Sequence, residues 1–176
     1  MHRIVIVDDE VNIINALRRI FAQLPYEIVT FTTPTEALDY ATRTKVDLVI
    51  SDFRMPVMDG ATLLKKIKDI QPDAMRLIIS GYSDRDGLVS AINDAAIYRF
   101  INKPWDEYDL VTAVANALRQ KDILTENKRL ADQVRKQTNL LDQQRSALQR
   151  LEQDHPGITK VRWESDGSII LDGEDV

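Results

Sequence analysis

The sequence contains no cysteine. Structural disulfides, thiolate-held metals and a cysteine nucleophile are thereby excluded. It has no excess of positive charge: 23 Lys and Arg stand against 28 Asp and Glu, a formal net charge of -5. That balance argues against a protein that coats nucleic acid, which needs uncompensated Lys/Arg clusters to neutralise phosphates. The longest apolar run falls far short of what a membrane span requires. Met1-His2-Arg3-Ile4 leads straight into a strand-like run without the layout of a signal peptide, so the expected location is the cytoplasm, with no membrane contact. No G-x-G-x-x-G follows that first run, which removes the dinucleotide-binding reading. No Gly or Pro occurs between Pro104 and Pro156, a span far longer than an ordinary globular helix can use.

What is present is a chain of 176 residues, 44% hydrophobic, enough for one core-bearing domain with an appendage. Four short β-branched runs stand out: Ile4-Val5-Ile6-Val7, Ile28-Val29-Thr30-Phe31, Leu48-Val49-Ile50 and Leu77-Ile78-Ile79. A weaker fifth is Tyr98-Arg99-Phe100-Ile101. Between them, apolar residues recur at helical steps: Ile13, Ile14, Leu17, Ile20, Phe21 and Leu24, then Leu63, Leu64, Ile67 and Ile70, then Leu88, Ile92 and Ala96. Nearly continuous apolar strands alternating with amphipathic helices predict a parallel sheet covered on both faces. Thr33-Pro34 opens the second helix, Asp59-Gly60 precedes the third and Pro72 closes it. The expected fold is α/β: a doubly wound (βα)5 parallel five-stranded sheet with a long C-terminal helix.

In such sheets ligands sit beyond the carboxyl ends of the strands, where the strand order reverses. Asp8-Asp9-Glu10 follows the first run, Ser51-Asp52 ends the third, Ser80-Gly81 follows the fourth and Asn102-Lys103-Pro104 the fifth. Each is ambiguous alone, since an Asp after a strand is commonly a turn or cap residue; their joint occurrence at four strand ends is specific. Asp8, Asp9 and Asp52 together form a hard-oxygen set of the kind Mg2+ prefers. A bound cation, with Lys103, relieves the repulsion of three neighbouring carboxylates and neutralises charge on an incoming phosphoryl group. Asp52 can act as a nucleophile, because carboxylates form aspartyl phosphates.

These residues are similar to the motif set of two-component response regulator receiver domains. The strings are Val7-Asp8-Asp9-Glu10, Asp52-Phe53-Arg54-Met55-Pro56-Val57-Met58-Asp59-Gly60, Ser80-Gly81-Tyr82 and Lys103-Pro104-Trp105. The resemblance covers residues 1 to about 120 and implies a flavodoxin-like receiver fold. It implies that Asp52 accepts phosphate from a histidine kinase or phosphotransfer protein, and that Asp8, Asp9, Asp52 and the Arg54 backbone carbonyl hold Mg2+. It further implies Ser80 as the hydroxyl that turns toward the phosphoryl group, Lys103 as its cation partner and Phe100 as the switch aromatic. The Lys103-Pro104 bond is expected cis. The chain is expected to accept a phosphoryl group and to lose it again, without other catalysis. Gly81-Tyr82-Ser83-Asp84, Ala91-Ile92-Asn93 and Ile97-Tyr98-Arg99-Phe100-Ile101 resemble a subgroup found in HD-GYP, other cyclic-di-GMP-related and hydrogenase regulators. The rival is an aspartyl-nucleophile phosphatase, whose family places Asp-x-Asp after the first strand; here Asp8 is followed by Asp9-Glu10.

The remainder divides into residues 121–154, a coiled-coil extension of the last helix, and 155–176, a short tail. Asn127, Val134, Leu141 and Leu148 occupy one heptad core position; Ile123, Leu130, Gln137, Gln144 and Leu151 occupy the other. Asn127 at an a position favours an in-register parallel homodimer through residues 123–151, while a solvated helix packed on its own domain is the alternative. Interleaved acids make the basic residues of this helix a solvated face rather than a nucleic-acid surface. In the tail, Thr159-Lys160-Val161-Arg162-Trp163 and Ser168-Ile169-Ile170-Leu171 flank Asp166-Gly167, a hairpin signal, with a disordered acidic tail as the alternative. No HD pair, GGDEF string, P-loop or helix-turn-helix follows the receiver-like part. Output is therefore expected through the helix or a protein effector, or through an effector domain beyond the given sequence.

Overall fold

The computed structural model describes residues 1–81 and 95–156, and the backbone of 162–163 and 169–170. The elements are β1 (His2–Val7), α1 (Val11–Phe21), β2 (Tyr26–Phe31), α2 (Pro34–Arg43), β3 (Leu48–Asp52), α3 (Gly60–Ile70), β4 (Met75–Ser80), β5 (Arg99–Asn102), α4 (Glu107–Asp154), β6 (Arg162–Trp163) and β7 (Ile169–Ile170). The chain divides into two units, Met1–Glu126 and Asn127–Val176.

In the first unit five parallel strands form one sheet in the order β2-β1-β3-β4-β5. The alternation of side chains along each strand splits the core in two. Ile4, Ile6, Leu48, Ile50, Leu77 and Ile79 face one side and pack with Leu17 and Phe21 of α1 and Leu110, Val114 and Leu118 of α4. Val5, Val7, Val49 and Ile78 face the other and pack with Ala37 and Ala41 of α2 and Leu63, Leu64 and Ile67 of α3. Both faces of the central strands are therefore dry, which is why they read as unbroken apolar runs. β2 is only half-buried along its length, as befits an edge strand that carries Tyr26 and Glu27.

Local chemistry sets the helix starts. The Thr33 hydroxyl accepts from the Glu36 N–H at the head of α2, the Asp59 carboxylate accepts from the Thr62 N–H at 2.7 Å, and Asp106 accepts from the Asp109 N–H at 3.0 Å. Gln71 caps α3 and joins it to the loop before β3: its amide donates to the Ala41 and Thr44 carbonyls at 2.6 and 2.7 Å and its oxygen accepts from the Val46 N–H at 2.8 Å.

Arg76, near the start of β4, is 8% exposed. Its guanidinium donates to the carbonyls of Pro72, Ala74, Ala95 and Ala96, and burial lowers its pKa. This arrangement corrects one expectation. Ala96 is not on a helix face; it follows the helical residue Ala95 with φ 48°, its carbonyl turned to Arg76. Leu88 and Ile92, the rest of the expected fourth helical face, lie outside the described residues.

α4 is a single helix of 48 residues. Leu110, Ala113, Val114, Ala117, Leu118 and Lys121 are buried, and every residue from Asp122 to Leu151 is exposed. In the second unit β6 and β7 pair antiparallel, Arg162 opposite Ile170 and Trp163 opposite Ile169. No helix among the described residues is long and apolar enough to cross a membrane.

Candidate functional site

The carboxyl ends of β1, β3, β4 and β5 carry Asp8, Asp52, Ser80 and Lys103. Three of these meet directly. Lys103 Nζ lies 2.5 Å from Asp52 Oδ1 and 3.0 Å from Asp8 Oδ2; Glu10 Oε1 stands farther off at 3.9 Å. The second oxygen of each aspartate is held by its own loop. Asp8 Oδ1 accepts from the Glu10 N–H at 2.9 Å, and Asp52 Oδ2 accepts from the Arg54 N–H at 2.8 Å. Both are Asx-type turns, in which a short side chain bonds the backbone two residues on. Each carboxylate thus has one oxygen on the shared ammonium and one on the chain that leaves its strand.

Burial sets the electrostatics. Asp8 is 1% exposed and Asp52 8%. Loss of water raises the pKa of Asp8; the Glu10 N–H and Lys103 oppose that rise and Asp52 adds to it. Loss of water likewise raises Asp52, against Lys103 and the Arg54 N–H, with the charge of exposed Asp9 adding to the rise. Burial by itself would lower Lys103, but its bonds to Asp52 and Asp8 prevail and its pKa is raised.

Ser80 ends β4, fully buried, its hydroxyl donating to the Gly81 carbonyl at 3.2 Å. The Ser80 carbonyl accepts from the Lys103 N–H at 2.7 Å, which fixes the lysine's backbone beside that strand. Lys103-Pro104 is cis. Phe100, opposite Ile78 in the sheet, is half-buried against the cluster that includes Ala95, Ile78 and Met55. Arg54 is exposed, and its backbone N–H is the atom that touches Asp52.

The loop after Asp52 is shaped by two further features. Met58 N–H donates to the Pro56 carbonyl at 2.8 Å around Val57, whose φ is 73°. This is a γ-turn of the rare positive-φ form, made by a β-branched residue 94% exposed to solvent. Gly60 then begins α3 so close to β3 that a Cβ would overlap the Asp52 carbonyl oxygen and crowd the Ser51 hydroxyl. Glycine is required there by proximity, and Met55 and Met58 simply pack the loop onto the second core cluster.

Among the described residues no three His, Cys, Asp or Glu side chains form a ready-made metal cluster; the Lys103 ammonium occupies the space between Asp8 and Asp52. The donor chemistry nonetheless fits a hard divalent cation: two buried carboxylates with a third acid's charge felt at Asp52. Glu10, the last acid of the Asp8-Asp9-Glu10 run that follows β1, lies near Lys103 as a more distant and exposed neighbour.

A parallel sheet of this strand order, with acids and a lysine gathered at its carboxyl edge, defines a class of α/β domain built around a charged pocket at the β1/β3 switch point. The response regulator receiver domain model matches residues 4–115. The chain is 32% identical over 143 residues to the hydrogenase transcriptional regulatory protein HoxA of Cupriavidus necator, covering 81% of this chain and 30% of that protein. It is 37% identical over 113 residues to the DNA-binding transcriptional regulator NtrC of Klebsiella pneumoniae, covering 64% of this chain and 24% of that protein. The signal receiver domain of an HD domain-containing protein from Pseudomonas fluorescens superposes with a TM-score of 0.66 at 36% identity, covering 69% of this chain and 97% of that structure. The chain therefore belongs to the receiver domains of two-component response regulators, a family of phosphorelay signalling. It spans 30% and 24% of the lengths of the two curated relatives.

Proposed function

We propose that this chain is a phosphoacceptor response regulator of the cytoplasm, phosphorylated on Asp52 by a histidine kinase or phosphotransfer protein. The observation that carries the reading is the bridge of Lys103 between Asp8 and Asp52. It leaves a nucleophilic carboxylate beside a cation able to follow the charge that a phosphoryl group brings. An Asp52 oxygen attacks phosphorus; the bond from phosphorus to the donor's imidazole nitrogen breaks, and that nitrogen leaves with the bonding pair. The product is an aspartyl phosphate.

Asp8, Asp9, Asp52 and the Arg54 carbonyl would hold Mg2+, which when bound supplies positive charge to the phosphoryl oxygens. Lys103 then exchanges its carboxylate partner on Asp52 for a phosphoryl oxygen. The Ser80 hydroxyl exchanges the Gly81 carbonyl for another, and the space it vacates admits the Phe100 ring. Phosphorylation adds roughly -1.5 to -2 charge and strong acceptor oxygens, so the two states differ in what Ser80 and Lys103 can bind. Only such a differential interaction shifts a conformational equilibrium.

The output proposed is a parallel homodimer through residues 123–151, or a protein effector seated on the same stripe. Ile123, Leu130, Val134, Leu141, Leu148 and Leu151 are between 45% and 63% exposed on the single chain, more apolar surface than a solvated helix has reason to carry in one heptad frame. Neither nucleic acid nor membrane is a proposed partner.

Radiolabelled acetyl phosphate with Mg2+ tests the assignment. One phosphoryl group per chain, lost in Asp52→Asn, is expected. Undiminished labelling of Asp52→Asn, or rapid turnover of many phosphate monoesters, refutes it.

A further inference from the structure

At the opposite edge of the sheet from the acidic pocket, Asp47 joins four elements of the first unit. Its N–H donates to the Arg3 carbonyl and its carbonyl accepts from the Met75 N–H, both at 2.9 Å, so its backbone is tied to β1 and β4 while it leads into β3. Its carboxylate accepts from the Arg3 N–H at 2.8 Å through Oδ2 and from Lys121 Nζ through Oδ1. His2 adds a loose third approach, Nδ1 lying 3.9 Å from Asp47 Oδ2, while its Nε2 reaches Asp122 at 3.3 Å.

Lys121 is an unusual residue for its position. It continues the buried stripe of Leu110, Val114 and Leu118, is 6% exposed, and is the last buried residue before α4 becomes exposed on all sides. Past Leu118 α4 has no buried apolar residue among those described, so its attachment there passes from packing to polar contacts, of which the Lys121–Asp47 pair is the buried one and His2–Asp122 the more exposed. Such a pair is geometrically exacting: removing Asp47 leaves the buried Lys121 ammonium without its partner, and removing Lys121 takes the cation from a half-buried carboxylate that keeps the Arg3 N–H.

We propose that Asp47 is a positioning residue for signal output: through Lys121 it makes the last turn of α4 within the first unit move as one body with the bases of β1 and β3. Those strands carry Asp8 and Asp52 at their far ends. A displacement that begins at the pocket therefore reaches the start of residues 127–154 through two strands and a fixed joint. The signalling consequence rests on the receiver reading above; the joint itself does not.

Because the chain has no cysteine, spin labels go only where they are placed. Nitroxides at Asp69→Cys and Thr125→Cys, both exposed and both within the first unit, report the distance across the joint in the 176-residue chain diluted with unlabelled protein. A narrow distance distribution is expected in this background and in Lys121→Arg. Loss of the narrow distribution is expected in Asp47→Asn and in Lys121→Met, two variants that perturb the pair from opposite sides. Acetyl phosphate labelling of Asp52 in the same proteins reports the receiver reading separately and is expected to be unchanged. A narrow distribution retained in either Asp47→Asn or Lys121→Met overturns the joint, whatever Asp52 does; failure of Asp52 to label overturns the receiver reading and leaves the distance result to stand.

Discussion

Asp8 and Asp52 stand side by side because β1 and β3 are paired in register: Val7 lies opposite Ser51, and each aspartate is the next residue along its chain. Parallel pairing of adjacent strands thus brings together two carboxylates that are distant in sequence, with Lys103 Nζ bonded to both. The pocket's cost and its usefulness come from the same fact, that both acids are buried.

The cost is measurable. Asp52's pKa in the folded protein is raised above its ordinary 3.8, first by burial. The folded state therefore holds this proton more tightly than the unfolded chain, and the stability so gained is full below 3.8 and lost as pH rises through the raised folded value. At neutral pH, without divalent cations, Asp52→Asn is expected to be more stable than the parent by on the order of 1 kcal/mol, since the amide escapes the cost of a buried charge while Lys103 keeps Asp8 as its partner. The advantage shrinks as pH falls toward the folded pKa. Thermal melts in chelator over a pH series check this; an Asn variant that melts lower at neutral pH contradicts it.

Lys103→Met removes the cation that sits between the two carboxylates. In chelator the variant is expected to lose roughly 2 kcal/mol, below the full cost of breaking a buried pair because Lys103 is partly exposed. Its Mg2+ affinity is expected to rise, since the ammonium no longer occupies the space between Asp8 and Asp52, while phosphoryl transfer slows. Calorimetric Mg2+ titration separates these effects, and weaker binding by Lys103→Met would count against the geometry.

Gly60→Ala drives a methyl group into the Asp52 carbonyl. A loss of about 1–3 kcal/mol is expected from the forced backbone shift, together with slower labelling, because the same peptide carries Asp52, the proposed phosphoacceptor. Denaturant midpoints and labelling rates measured on one preparation test both; an Ala variant of parental stability refutes the close approach.

Leu141→Asp with Leu148→Asp places two charges on the exposed apolar stripe of α4. Sedimentation at matched concentrations, with and without acetyl phosphate, is expected to show a dimer in the parent in at least one state and a monomer in the double variant. A parent that is monomeric in both states defeats the coil.

The sheet was legible because parallel strands buried on both faces need apolar side chains at every position, and the runs of β1, β3 and β4 are such strands. Asp8, Asp52, Ser80 and Lys103 were legible from their places just beyond the apolar runs. Other features carry no such mark. Ala96 fits an apolar face by composition, yet its backbone turns to a positive φ that no periodicity reveals. The Asp47–Lys121 pair joins residues with no spacing relationship, and its sole trace is a lysine where α4's buried stripe calls for an apolar residue. Val57 has the composition of a strand residue and sits instead in a γ-turn, since the Pro56 carbonyl and Met58 N–H close the bend around it.

Arg76 has a consequence of its own. The cation is buried with four carbonyl oxygens, so its charge is balanced by peptide dipoles drawn from two separate stretches of chain. A guanidinium can address several directions at once from one plane; an ammonium on a flexible stem cannot. Position 76 therefore calls for arginine rather than for a basic side chain in general: lysine there would keep the charge but could not fasten the stretch before β4 and the approach to β5 together.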